Sequence, residues 1–375
     1  MTVHNLSTSA AAETEARVYV APQWKLIWWK FRKHKLALVS AFIEIAIYLV
    51  AIFVEFLTPT LPDKTDSKYL YAPPQSLNFI DDKGNFGLFV NCYTSKIDPV
   101  ALRRTFVVDP GIQVPVGFFV EGYEYELFGL IKTNRHLIGP LDSSQPMFLL
   151  GADRLGRDVL SRIVAGTRVS MSIGLVGVFL SLVLGILLGG LSGYYGGIWD
   201  TLIQRLIEFL RSIPSIPLWM GLAAAMPTNM PPLQVYFGIT IILSLIGWTG
   251  LARVVRGRFL SLREEDFVMA AQLDGTSELG IILGHMLPAF TSHVIAAITL
   301  AIPGMILSET ALSFLGLGLR EPVVSWGVLL QSAQDIRAIA TAPWLLIPAL
   351  AVVLAVLSLN FLGDGLRDAA DPYAR

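Results

Sequence analysis

Long uncharged hydrophobic stretches alternate with charged segments along the chain, and this pattern predicts membrane-spanning helices. A helix needs roughly 20 apolar residues to cross about 30 Å of hydrocarbon. The pattern therefore predicts an all-α membrane protein with six such helices. Their predicted ranges are 36–57, 169–193, 201–226, 233–252, 291–315 and 343–362. The third range is the least regular, because it carries Glu208 and Arg211 and contains Pro214 and Pro217.

Two segments outside the predicted helices differ in composition. Residues 58–147 are rich in Pro and aromatic residues, and their β-branched runs suit short strands, so we expect a small extracytoplasmic domain inserted between helices 1 and 2. In the segment 1–35, Trp24, Trp28 and Phe31 recur at helical spacing beside basic residues. This suits a helix lying at the membrane interface, and a simple anchoring flank fits equally well.

The composition agrees with a membrane protein and narrows the function. Hydrophobic residues make up 54% of the 375 residues, charged residues make up 15%, and the mean hydropathy is +0.60. A net charge of −1 gives no basic field that would attract nucleic acid. The single cysteine cannot form an internal disulfide, and without a Cys or His cluster no metal site is predicted.

Lysine and arginine residues near the span ends predict the orientation, since they favour the cytoplasmic side. Basic residues at 25–35, 205–211, 253–263 and 367 fall on one side, so both the N-terminal segment and the segment 364–375 are predicted to be cytoplasmic. The arginines ahead of the second span conflict with this orientation. Asp158 lies four residues from both Arg154 and Arg162, so helical pairing is expected to offset part of that charge.

The charged loop 261–288 contains helix start and stop signals. Ser261 followed by Glu264 predicts a capping box, which places the acidic run 264–266 in the first turn of a helix. Gly275 permits the left-handed conformation that ends a helix, and Thr276 or Ser277 can cap the next turn. The sequence predicts a helix, a glycine turn and a second helix that could lie across a partner. By spacing alone, an ordinary amphipathic loop fits equally well.

This loop resembles the EAA loop of ABC importer permeases, through which a transmembrane subunit receives force from a separate ATPase. The family pattern is Glu-Ala-Ala, three residues, Gly, nine residues and an Ile-x-Leu-Pro ending. Two positions depart from it: Met269 replaces the glutamate, and His285 replaces the isoleucine, as in the peptide-importing branch. The resemblance assigns these residues to the coupling loop: Glu264, Glu265, Asp266, Met269, Ala270, Ala271, Asp274, Gly275, His285, Leu287 and Pro288.

Further segments resemble the oligopeptide and dipeptide permease group, in particular its C-type subunit. Residues 151–170 are similar to its GTDxxGRDxxSRxxxGxRxS run, and 312–327 and 363–368 also match. The resemblance covers most of the chain outside 58–147. The glycines, the paired charges and the outer position of residues 151–168 indicate a gate or a seat for a binding protein, with a polar cap on the second span as the alternative. The candidate residues are Asp153, Arg157, Asp158 and Arg162. Glu309 in the fifth span is either a pathway residue or a structural carboxylate.

The resemblance implies the transmembrane subunit of an ATP-driven importer in the bacterial inner membrane, with the type I permease fold and a core at 148–363. Such a subunit forms half of the pathway for peptides delivered by a periplasmic binding protein, with oligosaccharides as the alternative solute. The implied partners are a homologous permease subunit, two cytoplasmic ATPases, the binding protein and membrane lipid. An ion-coupled secondary transporter is the competing class. No G-x-x-x-x-G-K-[ST] motif occurs, so ATP and Mg are expected on the ATPases, and neither catalysis nor a cofactor is expected here.

Overall fold

The architecture is a helical membrane bundle with a β-sheet at one end. The computed structural model describes residues 22–80, 86–97, 104–227 and 229–370. Its strands are β1 (Leu77–Ile80), β2 (Phe86–Ile97), β3 (Arg104–Leu127) and β4 (Ile131–Pro140). Its α-helices are α1 (Gln23–Phe31), α2 (Lys35–Ile52), α3 (Val54–Leu57), α4 (Val159–Tyr195), α5 (Gly197–Ser212), α6 (Ser215–Ala224), α7 (Pro232–Leu262), α8 (Asp266–Leu273), α9 (Glu278–Ile281), α10 (Leu287–Ala289), α11 (Thr291–Phe314), α12 (Trp326–Gln331), α13 (Ile336–Thr341) and α14 (Ile347–Ala370).

Five helical segments of the described chain are long and apolar enough to cross a membrane. They correspond to α2, α4, α7, α11 and α14, the last preceded by a 3₁₀ turn at Pro343–Leu346. The predicted third span is not one helix. The chain breaks after Ser212 because Pro214, which has no N–H to donate, follows the extended Ile213, so α5 and α6 replace it. Six continuous spanning helices are therefore not confirmed.

Two spanning helices extend well beyond their hydrophobic stretches. Helix α4 begins at Val159, ten residues before the predicted start, because Asp158 caps its first turn by accepting a hydrogen bond from the Ser161 N–H at 2.8 Å. Helix α7 continues through Leu262. Ser261 consequently lies inside α7, and the predicted capping box is wrong. Hydrophobicity marks where a helix meets lipid, whereas hydrogen bonding decides where it ends.

Glycines bring α4 and α7 into close backbone contact. A Cβ on Gly189 would lie 2.5 Å from the Ala252 carbonyl oxygen, and one on Gly193 would lie 2.7 Å from the Arg256 carbonyl oxygen. Neither position therefore has room for a side chain. Small residues allow this approach in a membrane, where van der Waals packing contributes much of the helix association. The pair α4 and α7 has the most extensive contact in the bundle, α11 packs beside this pair, and α14 packs against α11 and α2.

The sheet is an antiparallel meander in the order β1-β2-β3-β4. Two of the runs that suit short strands, 104–108 and 114–119, both fall in the single long strand β3. Val90, Val114 and Val116 form its small core together with Met147. The sheet contacts the bundle where α2 and α3 end, because the His136 ring, on β4, lies 2.9 Å from the Glu55 carbonyl oxygen. We call this end of the bundle the sheet side.

The described ends of the chain meet at the opposite end of the bundle. Phe31 of α1 is buried against Ala37 and Ala369, whereas Trp24 and Trp28 are exposed. The helix predicted from these aromatic residues is present, and its location at a membrane interface stays a prediction. Residues 1–21 and 371–375 of the predicted terminal segments lie outside the described residues.

Candidate coupling site

The predicted coupling loop forms a helix, a glycine turn and a second helix, as expected from its sequence. Helix α8 ends at Leu273, and Gly275 adopts a φ of +73°. The Gly275 N–H donates to the Gln272 carbonyl at 3.0 Å and the Thr276 N–H donates to the Ala271 carbonyl at 3.1 Å, which is a Schellman motif. Ser277 then caps α9, accepting from the Gly280 N–H at 3.3 Å. The helical path continues as a π-helical turn, Ile282–Met286, into α10.

One face of this element is fixed to the bundle. Val268, Ala271, Ile281 and Met286 are buried in one cluster with Val255 and Phe259 of α7 and with Phe290 and Val294. Because these side chains come from α7, α8, α9 and the start of α11, a displacement of α8 must move the ends of two spanning helices. The element is therefore mechanically joined to the bundle core.

The other face carries exposed apolar side chains. Leu273 is 89% exposed and Leu279 is 69% exposed, on either side of the Gly275 turn. Phe267, Met269 and Leu283 are also exposed. We call these five residues the coupling face. Exposed apolar residues grouped beside an open glycine turn are typical of a protein interaction surface.

One hydrogen bond ties the element to α4, and an ion pair and a further hydrogen bond tie α5 to α7 and α4 nearby. The Tyr195 hydroxyl, at the end of α4, donates to the Glu278 carboxylate in the first turn of α9. The guanidinium of Arg256 on α7 binds both carboxylate oxygens of Asp200 on α5, at 2.5 and 2.6 Å. The Ser192 hydroxyl also donates to Asp200, at 2.5 Å. Hydrogen bonds between charged partners are the stronger class, so these contacts join α4, α5 and α7 at the end where the coupling face lies.

The predicted coupling residues are brought together only in part. The acidic residues Glu264 to Asp266, the adjacent Met269 and Ala270, and the turn residues Asp274 and Gly275 are exposed, whereas Ala271 is buried. Glu265 occupies the cap position of α8, and its side chain makes no capping hydrogen bond. His285 and Pro288 are exposed and Leu287 is half-buried, further along the π-helical path. Tyr195, Asp200 and Arg256 were not expected from the sequence, since they are distant from the loop in the chain.

A cluster of charged groups lies at the opposite end of α4. The Arg157 guanidinium donates to Asp153 at 2.7 Å and to Glu321 at 2.6 Å, and Arg162 donates to Glu321 at 3.1 Å. Arg157, Arg162 and Asp153 are buried. Of the four residues predicted to form a gate, a seat or a polar cap, Asp153, Arg157 and Arg162 therefore meet. Glu321 joins them, and no sequence motif had indicated this residue. The only sign of Glu321 in the sequence was its position beside Pro322, after a glycine-rich run.

The predicted pairing of Asp158 with Arg154 and Arg162 is wrong. Asp158 instead accepts from the N–H and the hydroxyl of Ser161, at 2.8 and 2.6 Å, because it caps α4. Arg154 pairs with Glu321 at 3.8 Å. Arg168 pairs with Glu55 at 2.5 Å. These carboxylates offset the arginine charge that conflicted with the predicted orientation.

Burial and charge shift the pKa values of this cluster in opposite directions. Burial raises the pKa of Asp158 to about 6, despite the hydrogen bonds from Ser161. Burial also raises the pKa of Glu321, but the hydrogen bond from Arg157 and the charges of three arginines outweigh it, so the net pKa is lowered. Glu321 therefore stays ionised at neutral pH.

Glu309 is fully buried within α11 and is surrounded by hydroxyl groups. Its Oε1 accepts from Ser313 at 2.8 Å and from Ser325 at 2.7 Å, and its Oε2 accepts from Ser170 at 3.4 Å. These bonds join α4, α11 and the loop before α12. They favour the structural interpretation of this residue, because a buried polar group is costly unless it is hydrogen-bonded. A role in lining a pathway stays a prediction.

The family of the chain follows from comparison with known sequences. Residues 182–375, just over half of the chain, match the family described as binding-protein-dependent transport system inner membrane component. The chain belongs to this family. Residues 22–74 match the N-terminal TM domain of oligopeptide transport permease C. The coupling element and most of the spanning helices lie inside the first match, so this permease is a multi-pass inner membrane protein.

Several characterised relatives are similar over most of their length. The oligopeptide transport system permease protein OppC of Haemophilus influenzae is 40% identical over 265 residues, covering 70% of this chain and 80% of the relative. The dipeptide transport system permease protein DppC of Bacillus subtilis is 35% identical, covering 60% and 68%. The glutathione transport system permease protein GsiD of Escherichia coli O6:H1 is 39% identical, covering 59% and 71%.

Among solved structures, this permease is similar to a chain of the inward-facing MetNI methionine ABC transporter. The identity is 17% and the TM-score is 0.43, covering 56% of this chain and 96% of that one.

Proposed function

We propose that this permease is one transmembrane subunit of an ATP-driven importer and forms half of a translocation pathway for peptides. The relatives named above belong to oligopeptide, dipeptide and glutathione transport systems, all of which carry peptides. Its proposed partners are a homologous permease subunit, two cytoplasmic ATPases that bind ATP and Mg, and an extracytoplasmic binding protein. The subunit itself transmits motion and does not catalyse a reaction.

The observation that carries this proposal is the coupling face on an element fixed to the bundle. An ATPase that binds Leu273 and Leu279 would act on α8 and α9, whose buried face holds α7 and the start of α11. The Tyr195 and Asp200 contacts would pass the displacement to α4 and α5. Motion at the coupling face would thus reach four helices at once, which suits alternation between inward and outward openings.

The sheet side is proposed to receive the binding protein. The segment that leads from α3 to the sheet meets the charged cluster around Glu321 there, because the Arg162 guanidinium donates to the Pro62 carbonyl at 3.1 Å. In this assignment the sheet is extracytoplasmic, and both described ends of the chain are cytoplasmic. The broken segment formed by α5 and α6 makes the remaining crossing, which gives six in total.

Copurification tests the coupling assignment. We expect Leu273→Asp combined with Leu279→Asp to abolish retention of the ATPases and ATP-dependent peptide uptake, because charge on an apolar contact opposes docking. The control for ATPase retention is Ile336→Asp, which changes a similarly exposed apolar residue on the sheet side, away from the coupling face. Full ATPase retention and uptake by the double variant would contradict the proposal. Uptake of labelled peptides is compared with that of labelled oligosaccharides to identify the solute.

A further inference from the structure

The turn between β3 and β4 is unusual because it is entirely apolar. It consists of Phe128, Gly129 and Leu130, followed by Ile131 as the first residue of β4. Phe128 is 58% exposed, Leu130 is 85% exposed and Ile131 is 59% exposed. Hairpin turns that face water are normally built from polar residues, and a run of exposed apolar residues in an ordered turn indicates a function. We call residues 128–131 the hairpin tip.

Charged residues stop at the base of the hairpin tip. Glu126 pairs across the strands with Lys132, and their charged groups lie 3.6 Å apart. Between them the chain carries no charge and no polar side chain. The ion pair therefore marks a boundary between a polar hairpin stem and an apolar end, which is the arrangement that a water–hydrocarbon interface favours.

The hairpin tip lies against the first spanning helix. The rings of Phe128 and Phe53 meet edge to face with centroids 5.7 Å apart, and Phe53 follows α2 directly. A second contact joins Phe119 to Phe56, at 6.0 Å. The position of the tip relative to the membrane is consequently set by the end of α2.

A groove of about 480 Å³ shows how far the tip reaches along α2. Phe128 and Gly129 form one wall, and Tyr48, Ala51 and Ile52 form another. Tyr48 lies four residues before the end of α2, which is about 6 Å inside that end at 1.5 Å per residue. Leu49 and Ile52 on the same turns are exposed, as expected for the lipid-facing surface of a spanning helix. The tip thus continues the exposed apolar surface of a helix that is long and apolar enough to cross a membrane.

We propose that the hairpin tip inserts its apolar side chains into the lipid leaflet on the sheet side of the membrane. The tip contacts the acyl-chain region of the bilayer, because the tip is uncharged and is continuous with the lipid-facing surface of α2. The insertion anchors the sheet beside α2 and α4 and fixes its orientation above the bundle. This rests on α2 crossing the membrane and does not depend on which solute is carried.

Site-directed fluorescence in reconstituted membranes tests the insertion. Cys92, the sole cysteine, is replaced by serine, and a bimane probe is attached at Leu130→Cys or at Ile131→Cys, both of which replace exposed residues. Leu49→Cys on α2 is the lipid-facing reference. Ser95→Cys, an exposed residue near the far end of the hairpin formed by β2 and β3, is the water-facing reference. The full chain, in the assembly in which it purifies, is placed in phosphatidylcholine nanodiscs with or without brominated acyl chains.

The expected result is loss of fluorescence at Leu130 and Ile131 in brominated lipid, comparable with the loss at Leu49, and resistance to aqueous iodide. The Ser95 probe should show the reverse. Iodide quenching at the tip without bromine quenching would overturn the proposal. Protection from both quenchers would also overturn it, since the tip would then be covered by a protein such as a second permease subunit. The quenching results do not depend on peptide uptake. The insertion of the hairpin tip and the proposed import of peptides can therefore be contradicted independently of each other.

Discussion

At the scale of single residues, two carboxylates, the partly exposed Glu321 and the buried Glu309, organise this permease. Glu321 lies where three arginines converge, and Glu309 accepts hydrogen bonds from three serines. In both cases the carboxylate joins segments distant in sequence, and its removal would leave buried donors without an acceptor. Such donors cost about 1–3 kcal/mol each when no other group replaces the lost partner.

Replacing Glu321 by glutamine should weaken the charged cluster on the sheet side. We expect a lower thermal midpoint and a free energy of unfolding that is about 1–3 kcal/mol smaller. This range allows for the partial exposure of Glu321. The control is Glu126→Gln, whose exposed ion pair with Lys132 should contribute less than about 1 kcal/mol. The measurement is thermal unfolding of the purified protein in detergent.

The stability difference between the wild type and Glu321→Gln depends on pH because the pKa of Glu321 is lowered. A carboxyl group whose folded-state pKa is depressed contributes stability that is present above its unfolded pKa, about 4.3. That contribution is lost as the pH falls through the folded-state pKa. The difference between wild type and Glu321→Gln should therefore stay constant from pH 7 to about 5 and shrink at lower pH. A difference that grew on acidification would contradict the ion-pair interpretation.

At the scale of secondary-structure elements, helix contacts depend on where glycine occurs within a helix. Along α4, Gly193 lies against the backbone of α7, whereas a Cβ on the nearby Gly190 would be at ordinary contact distance, 3.4 Å, from Phe259. Two glycines three residues apart in one helix thus differ in the space available for a side chain. The hydrophobic pattern cannot distinguish them.

Alanine at Gly193 should therefore destabilise the bundle more than alanine at Gly190. The added methyl group at 193 would lie 2.7 Å from the Arg256 carbonyl oxygen, so α4 and α7 must separate. Overpacking of this kind costs about 1–3 kcal/mol. Gly190→Ala should be close to neutral. Thermal unfolding of the two variants checks this, and equal midpoints would show that the close approach of the helices contributes little.

At the scale of the whole molecule, the path of the chain from α4 to α7 decides the topology. Helix α4 ends beside the coupling face, at Tyr195, whereas α7 begins near the charged cluster, since Pro232 and Glu321 line one cavity. Between Tyr195 and Pro232, the described residues form only two helices, α5 and α6. Together they must connect opposite ends of the bundle, although neither has the length of a spanning helix.

Accessibility of introduced cysteines tests this topology. In the Cys92→Ser background, Ser95→Cys and Asn229→Cys should react in intact cells with a maleimide that cannot cross the inner membrane. Asp274→Cys should react only after permeabilisation. The reason is that α5 and α6 are proposed to carry the chain across. Reaction of Asn229→Cys only after permeabilisation would contradict both this crossing and the count of six.

The sequence predicted the larger features because they depend on local chemistry. The spans at α2, α4, α7, α11 and α14 follow from hydrophobicity, and the turn at Gly275 follows from the conformational freedom of glycine. The break before Pro214 was misread as part of a helix, because a hydrophobic stretch conceals a change of helix axis. The role of Glu321 was missed, because its partners are over 150 residues away in the chain.

The sequence by itself determined the family and the membrane location, and it predicted the position of the coupling loop, since each depends on neighbouring residues. Only the tertiary structure decided which charges meet, how α4 approaches α7 and where the hairpin tip of residues 128–131 lies. Arg157 could pair with any carboxylate until folding brought Glu321 within 2.6 Å. Contacts between distant residues depend on the path of the backbone, and no local pattern records that path.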